Sequence, residues 1–241
     1  REVVVLDEVQ VDAAELSAPD PLGTAGEPFG RVRDAVLLAL DLFEEDREIG
    51  IRLAAGSYAE TVEFAPNIRI AGANPGAPES TVIEPEASSL DEVGAVLLDA
   101  TAGGALQDLT VRMPSDGPTD GAILVRADSE SLVLNNVVVD GREPGTNLGV
   151  QISGLESSAS ILQNCTIENV NCGVMTQDSA VNITGNTFRG IAGEAIRVLA
   201  PALKGDVLAP LPVLGDVNDL ENTGSNTFEA SGGKYIVNES G

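Results

Sequence analysis

Two groups of acids sit in Pro- and Gly-rich stretches where a cation or ligand could be held. The first is Asp116 and Asp120, with Arg142 from the next repeat close by in pattern. The second is Asp216, Asp219 and Glu221, inside residues 201–223. Carboxylate oxygens are the ligands calcium takes, so Asp216, Asp219 and Glu221 are the calcium candidates and calcium is the cofactor the chain admits. Asp116, Asp120, Arg142, Asp216 and Asp219 are the ligand-binding candidates, because loops grafted on a regular scaffold are where binding concentrates. Plain excursion loops explain the same residues more simply. Both loops leave their repeats shortly before a Gly-Val or Gly-Ile segment, which suggests that they share one side.

Histidine is absent. That excludes Ser-His-Asp and Cys-His nucleophile systems, a histidine proton shuttle and most catalytic zinc sites. Enzymatic chemistry would have to run on carboxylates, tyrosine, lysine or arginine. Two acids at the right separation suffice for glycoside hydrolysis, but chain position does not place Asp128, Asp140 and Asp178 relative to one another. Arg112, Arg126, Arg142, Arg189 and Arg197 are dispersed, with Arg126 and Arg197 in different phases of the repeat. Acids number 38 against 13 bases, a net charge of −25. Such a surface repels nucleic acid, anionic lipid and polyuronates not bridged by cations.

The elements that must position these groups are written in a returning phrase. Leu134-Asn135-Asn136-Val137 recurs as Leu162-Gln163-Asn164-Cys165, Ile183-Thr184-Gly185-Asn186 and Thr223-Gly224-Ser225-Asn226, with Leu106-Gln107-Asp108-Leu109 before them. The steps are 28, 28, 21 and 40 residues, the signature of stacked repeats. A second series runs out of phase, through Val96, Ile123, Val150, Val174, Ile196 and Ile236. Each period therefore holds at least two short strands. Apolar residues alternate within them, as at Leu132, Leu134, Val137 and Val139, the period of a strand with one buried face. One such rung cannot bury its own apolar side, whereas a stack can.

Asn136 and Asn164 fall at one corner in consecutive rungs, where asparagine tolerates left-handed backbone and glycine, as at Gly185, substitutes for it. Cys165 takes the inward place of Val137, and Cys172 precedes the next strand. Two buried thiols and one disulfide within a rung both fit; a disulfide would favour an exported location. Residues 31–43 form the one convincing helix, with Val32, Val36, Leu40 and Phe43 on its apolar face. Placed ahead of the stack, it would cover the open end. Val3 to Leu6 reads as a first strand. No stretch approaches a membrane span, and the sequence opens at Arg1 without a signal peptide, as a processed or trimmed chain would.

In its first third the chain resembles pectin methylesterases and related right-handed parallel β-helix proteins. The shared pieces are Gly26 and Phe29, Ala35-Val36, Gly56-x-Tyr58-x-Glu60, Ile70-x-Gly72 and Thr81-Val82-Ile83. The tail, from Gly224 to Phe228 and Tyr235 to Ser240, resembles uncharacterised bacterial β-helix proteins. The resemblance implies an all-β, single-stranded right-handed parallel β-helix with an N-terminal capping helix. It implies one domain over 1–241: strand, loop and helix in 1–48, rungs in 49–241, and a loop insertion at 201–223. Pectin methylesterases use two aspartates, an arginine and two glutamines on the outer face of successive rungs. Gln177-Asp178 is the fragment here that looks like their glutamine-aspartate motif, so Gln177 and Asp178 are the catalytic candidates. The second aspartate motif and the arginine-proline-tryptophan motif have no counterpart.

The expectation is an exported bacterial protein, periplasmic, at the cell surface or extracellular. It would be a non-enzymatic binding or surface-structural module for a polysaccharide or a surface protein, without nucleic acid or a transmembrane segment. The alternative is a divergent enzyme of the pectin esterase or lyase type acting on a polysaccharide.

Overall fold

The computed structural model describes residues 8–15, 24, 28–42, 48–64, 67–86, 96–98, 104–114, 123–127, 132–142, 147–153, 160–199, 213–214, 224–229 and 235–239. These hold three parallel sheets of seven strands each. The first sheet is Glu8–Val11, Ile49–Leu53, Ile68–Gly72, Gly104–Gln107, Leu132–Asn135, Ser160–Gln163 and Val181–Thr184. The second is Val62–Phe64, Val96–Leu98, Ile123–Ala127, Leu148–Ser153, Cys172–Gln177, Ile196–Val198 and Ile236–Asn238. The third is Gly56–Tyr58, Thr81–Ile83, Thr110–Arg112, Val138–Asp140, Thr166–Glu168, Thr187–Arg189 and Thr227–Phe228. The chain visits first, third and second sheet in turn and then starts the next coil. Each coil thus has three strands, and the molecule is a parallel β-helix.

The repeated phrase is the first-sheet strand plus the corner into the third. Leu134 pairs with Leu106 and Leu162, and Leu162 with Ile183, all buried side chains in one column. At that corner Asp108, Asn136, Asn164, Gly185 and Ser225 all have positive φ, between 51° and 68°. The corner amides bond across coils, not back onto their own backbone: Asn136 Nδ2 donates to Asp108 Oδ1 at 2.7 Å and to the Pro75 carbonyl at 2.6 Å.

The second series needs one correction. Val125, not Ile123, pairs with Val96 and Val150, and Ile123 pairs with Leu148. A slip of two residues leaves the same face inward, so the alternation alone could not detect it. The step of 40 residues is also resolved: Val213 bridges Asn182 on the first sheet, and the corner resumes at Gly224.

At the N-terminal end the described first strand is Glu8–Val11, and the expected strand at Val3 to Leu6 lies outside the described residues. Phe29 bonds along its free edge, with Phe29 N to Gln10 O at 3.0 Å and Asp12 N to Phe29 O at 2.7 Å. Helix α1, Val32–Asp41, packs on this strand and its neighbours. Its buried face is Val32, Ala35, Val36 and Ala39. Leu40 is 42% exposed, because eight positions past Val32 turns it well off that face. Phe43 lies outside the described residues. Arg31 offers no side-chain cap. Glu60 caps instead, accepting from the Val32 N–H at 2.8 Å and the Arg33 N–H at 3.1 Å. The hydroxyl of buried Tyr58 reaches the carbonyls of Val11 (3.1 Å) and Ala54 (2.9 Å). The Gly56-x-Tyr58-x-Glu60 motif thus ties the first coil to its cap. Burial pushes the Tyr58 phenol well above its ordinary range.

Both cysteines are free and buried. Of the two arrangements the sequence left open, the structure has thiols, each pushed up to about 12, first of all by loss of solvent. The inward column Leu109, Val137, Cys165 then turns polar. Fully buried Asn186 accepts from the Cys165 N–H at 2.8 Å and donates to the Leu162 carbonyl at 2.9 Å and Asn226 Oδ1 at 3.1 Å.

Candidate functional site

Strand pairing sorts outward side chains into rows along the axis, one residue per coil at roughly 4.8 Å per step. On the second sheet one row runs Arg126, Gln151, Met175, Arg197, Val237. Arg126 and Arg197, which chain position put in different phases, stand in one row three coils apart. The inward neighbours Val125, Val150, Val174 and Ile196 are all buried, which fixes the row's orientation outward. Ser153 and Gln177 pair in an adjoining row two residues on.

Arg126, Gln151, Met175, Arg197 and Gln177 are all half-buried. Such side chains are held by their neighbours and still reach a ligand. Arg197 bonds Glu239 Oε1 at 2.9 Å through one terminal nitrogen, while its Nε is buried without a hydrogen-bond partner among the described residues. The Gln151 amide likewise bonds no described residue. The face therefore offers guanidinium and amide donors around a thioether, suited to carboxylate or hydroxyl oxygens.

Gln177 ends its strand beside this row, and Asp178 follows it at φ 52°, turning the chain away. The two catalytic candidates thus adjoin the row, with Asp178 at a corner. Arg142 sits elsewhere, at the turn leaving the third sheet. Its Nε donates to the Met113 carbonyl at 2.5 Å and its terminal nitrogen to Glu84 Oε1 at 2.6 Å. Asp116, Asp120, Asp216, Asp219 and Glu221 lie outside the described residues. The flanking strands still locate their loops. Residues 114–122 and 141–147 join third to second sheet, whereas 199–226 run from second to third past the first-sheet bridge at Val213. The two loops therefore leave from different corners, since each strand of a coil belongs to a different sheet.

A third-sheet row was not foreseen. Arg112, Asp140, Glu168 and Arg189 are paired in register, with Glu84 before and Glu229 after. Asp140 accepts from Arg112 Nε at 3.1 Å, the Arg142 N–H at 2.8 Å and Asn169 Nδ2 at 2.9 Å. Glu168 takes Arg189, whose guanidinium it holds above its ordinary pKa by that hydrogen bond. Asp140 and Glu168 are acids on adjacent coils, each only 13% exposed and each ion-paired. The signal for the row was present as the residue following the last Val, Ile or Phe of each third-sheet strand, legible only once register is known.

A family model for a right handed beta helix region matches residues 110–201. No curated protein sequence matches the chain. Among solved structures the chain is similar to YbhC of Escherichia coli, at 17% identity and a TM-score of 0.58, covering 96% of this chain and 72% of that one. It is similar to the pectin methylesterase PemA from Erwinia chrysanthemi, at 13% identity and a TM-score of 0.55, covering 98% and 94%. It is also similar to the pectin methylesterase from carrot, at 16% identity and a TM-score of 0.51, covering 100% and 85%. The fold is thus the right-handed parallel β-helix that pectin methylesterases share.

Proposed function

We propose that this protein is a non-enzymatic glycan-binding β-helix, exported to the periplasm or cell surface, whose contact face is the second-sheet row Arg126, Gln151, Met175, Arg197 with Gln177 beside it. The observation that carries the reading is the row itself. Donors stand on the adjacent coils of Arg126 and Gln151 and again at Arg197, two coils on past Met175, which suits an extended polymer lying along the molecule. The coil spacing of ~4.8 Å would seat the two carboxylates of a retaining glycosidase on adjacent coils. Adjacent coils of this row instead carry Arg126, Gln151, Met175 and Arg197. Calcium, held by the acids of residues 201–223, remains part of the proposal as an organiser of the neighbouring loop.

A glycan array probed with calcium and again with EDTA tests this. The expected result is retention of one polysaccharide class, weakened at least tenfold by Gln151→Ala or Arg197→Ala. Silence on the array in both conditions would sink it.

A second reading, a divergent esterase or lyase, is favoured by Asp140 and Glu168 on adjacent coils and by the shared fold. Methanol release from methyl-esterified pectin, abolished by Asp140→Asn, would establish it over the first.

A further inference from the structure

The N-terminal cap borders an open cavity of about 640 Å³. That lies within the size range of small-molecule sites. The polar residues of its wall are Arg31, Arg33, Ser57, Tyr58, Glu60, Thr61 and Glu86. It is at the opposite end of the stack from Arg197 and has no part in the reading above.

The charges of this wall are unusual for the molecule. Arg52, Arg69, Arg112, Arg142, Arg189 and Arg197 each hold a carboxylate. Arg31 and Arg33 hold none among the described residues, in a chain with 38 acids. One wall carboxylate, Glu60, already has both oxygens engaged by the α1 N–H groups of Val32 and Arg33. The Tyr58 hydroxyl is spent on backbone carbonyls. Glu86, the second carboxylate of the wall, is exposed and, like Thr61, has a partner of its own, which leaves the two guanidiniums and the hydroxyl of Ser57 to meet a ligand. Guanidinium forks match carboxylate and phosphate oxygens in bidentate geometry. The helix terminus itself is closed by Glu60, so any anion would be held by the arginines.

We propose that the cap cavity binds a small molecule through an oxyanion, carboxylate or phosphate, held by Arg31 and Arg33. Titration calorimetry of the whole chain at 0.15 M salt, with glucuronate, glucose 6-phosphate and neutral glucose, tests it. Glucuronate or glucose 6-phosphate should bind and glucose should not, and the stronger of the two identifies the anion. The double variant Arg31→Gln/Arg33→Gln should weaken binding by at least ~10-fold, the loss expected for a bidentate charged pair. Its thermal melt should match that of the parent, and Arg31→Lys/Arg33→Lys should recover part of the affinity. No heat from either acidic sugar, equal binding of glucose, or an unchanged Kd in the Gln variant would each overturn the proposal.

Discussion

At the scale of single residues, the informative side chains are those whose polar atoms have been committed. Glu60 caps α1 from 28 residues away in sequence with both oxygens. Replacing a capping carboxylate costs roughly 1–2 kcal/mol. Glu60→Ala should lower stability by about that amount in urea unfolding with an unchanged slope, whereas Glu60→Gln, keeping one acceptor, should lose less. Asn186 is more exacting, since its removal leaves the Cys165 N–H and Leu162 carbonyl unpaired inside the stack. Each orphaned group costs ~1–3 kcal/mol, so Asn186→Leu should be far more damaging than Cys165→Val, which restores the residue type found one coil earlier. The thiols give a pH prediction. Cys165 and Cys172 ionise near about 12 in the fold against 9.0 ordinarily. Above pH 9 the unfolded chain therefore binds fewer protons than the native one, and stability must fall with rising pH. The slope is ~1.4 kcal/mol per unit for each thiol. Below pH 9 the thiols contribute no slope. Native-state thiol labelling at pH 8 should accordingly be slow until denaturant is added. Fast labelling of folded protein would contradict the burial.

At the scale of elements, the recurring Gly-Val segments have a steric cause. A Cβ on Gly173 would stand 2.5 Å from the Ala195 carbonyl oxygen and 3.0 Å from the Phe188 ring. The first neighbour is backbone and cannot rotate away. Gly173→Ala should cost about 3 kcal/mol, the upper end for overpacking, and should lower the thermal midpoint without changing the far-ultraviolet spectrum of the native state. The third-sheet row predicts a comparable effect from charge. Asp140→Ala strips Arg112, Asn169 and the Arg142 N–H of a shared acceptor and should cost about 2 kcal/mol. Much of this architecture was legible beforehand, because Leu106, Leu134, Leu162 and Ile183 repeat with their asparagine corner, and a corner that must take positive φ restricts residue type. The helix was legible too, though its face was set too wide by counting Leu40 as apolar and therefore inward. The rows were not legible. A two-residue register slip changes no hydrophobic pattern, yet it decides whether Arg126 and Arg197 share a row, and only pairing between coils fixes it. The acids singled out for calcium and ligand binding depend on loop conformation, which alternation does not encode.

At the scale of the whole molecule, charge and fold oppose each other. The excess of 25 negative charges lies on a stack whose core is aliphatic and whose ends are small, so self-repulsion acts along its full length. Among the described residues six ion pairs relieve it locally. Exposed pairs contribute only ~0–1 kcal/mol each, and salt weakens them. Salt also screens the repulsion, whose range shrinks from ~30 Å at 0.01 M to ~8 Å at 0.15 M. With acids outnumbering bases nearly three to one, the repulsive term should win. Stability should then rise with ionic strength, by about 5 °C in thermal midpoint between 0.01 and 0.5 M NaCl, which for a chain of this size is ~1–2 kcal/mol. A fall in midpoint would show instead that the ion-paired rows dominate. Calcium separates a diffuse effect from a bound one. Screening depends on ionic strength alone, so 1 mM calcium should match sodium at equal ionic strength. A midpoint higher than that, reversed by EDTA, requires ions bound to the native state and stabilising it by mass action, and would direct attention to the acids of residues 201–223.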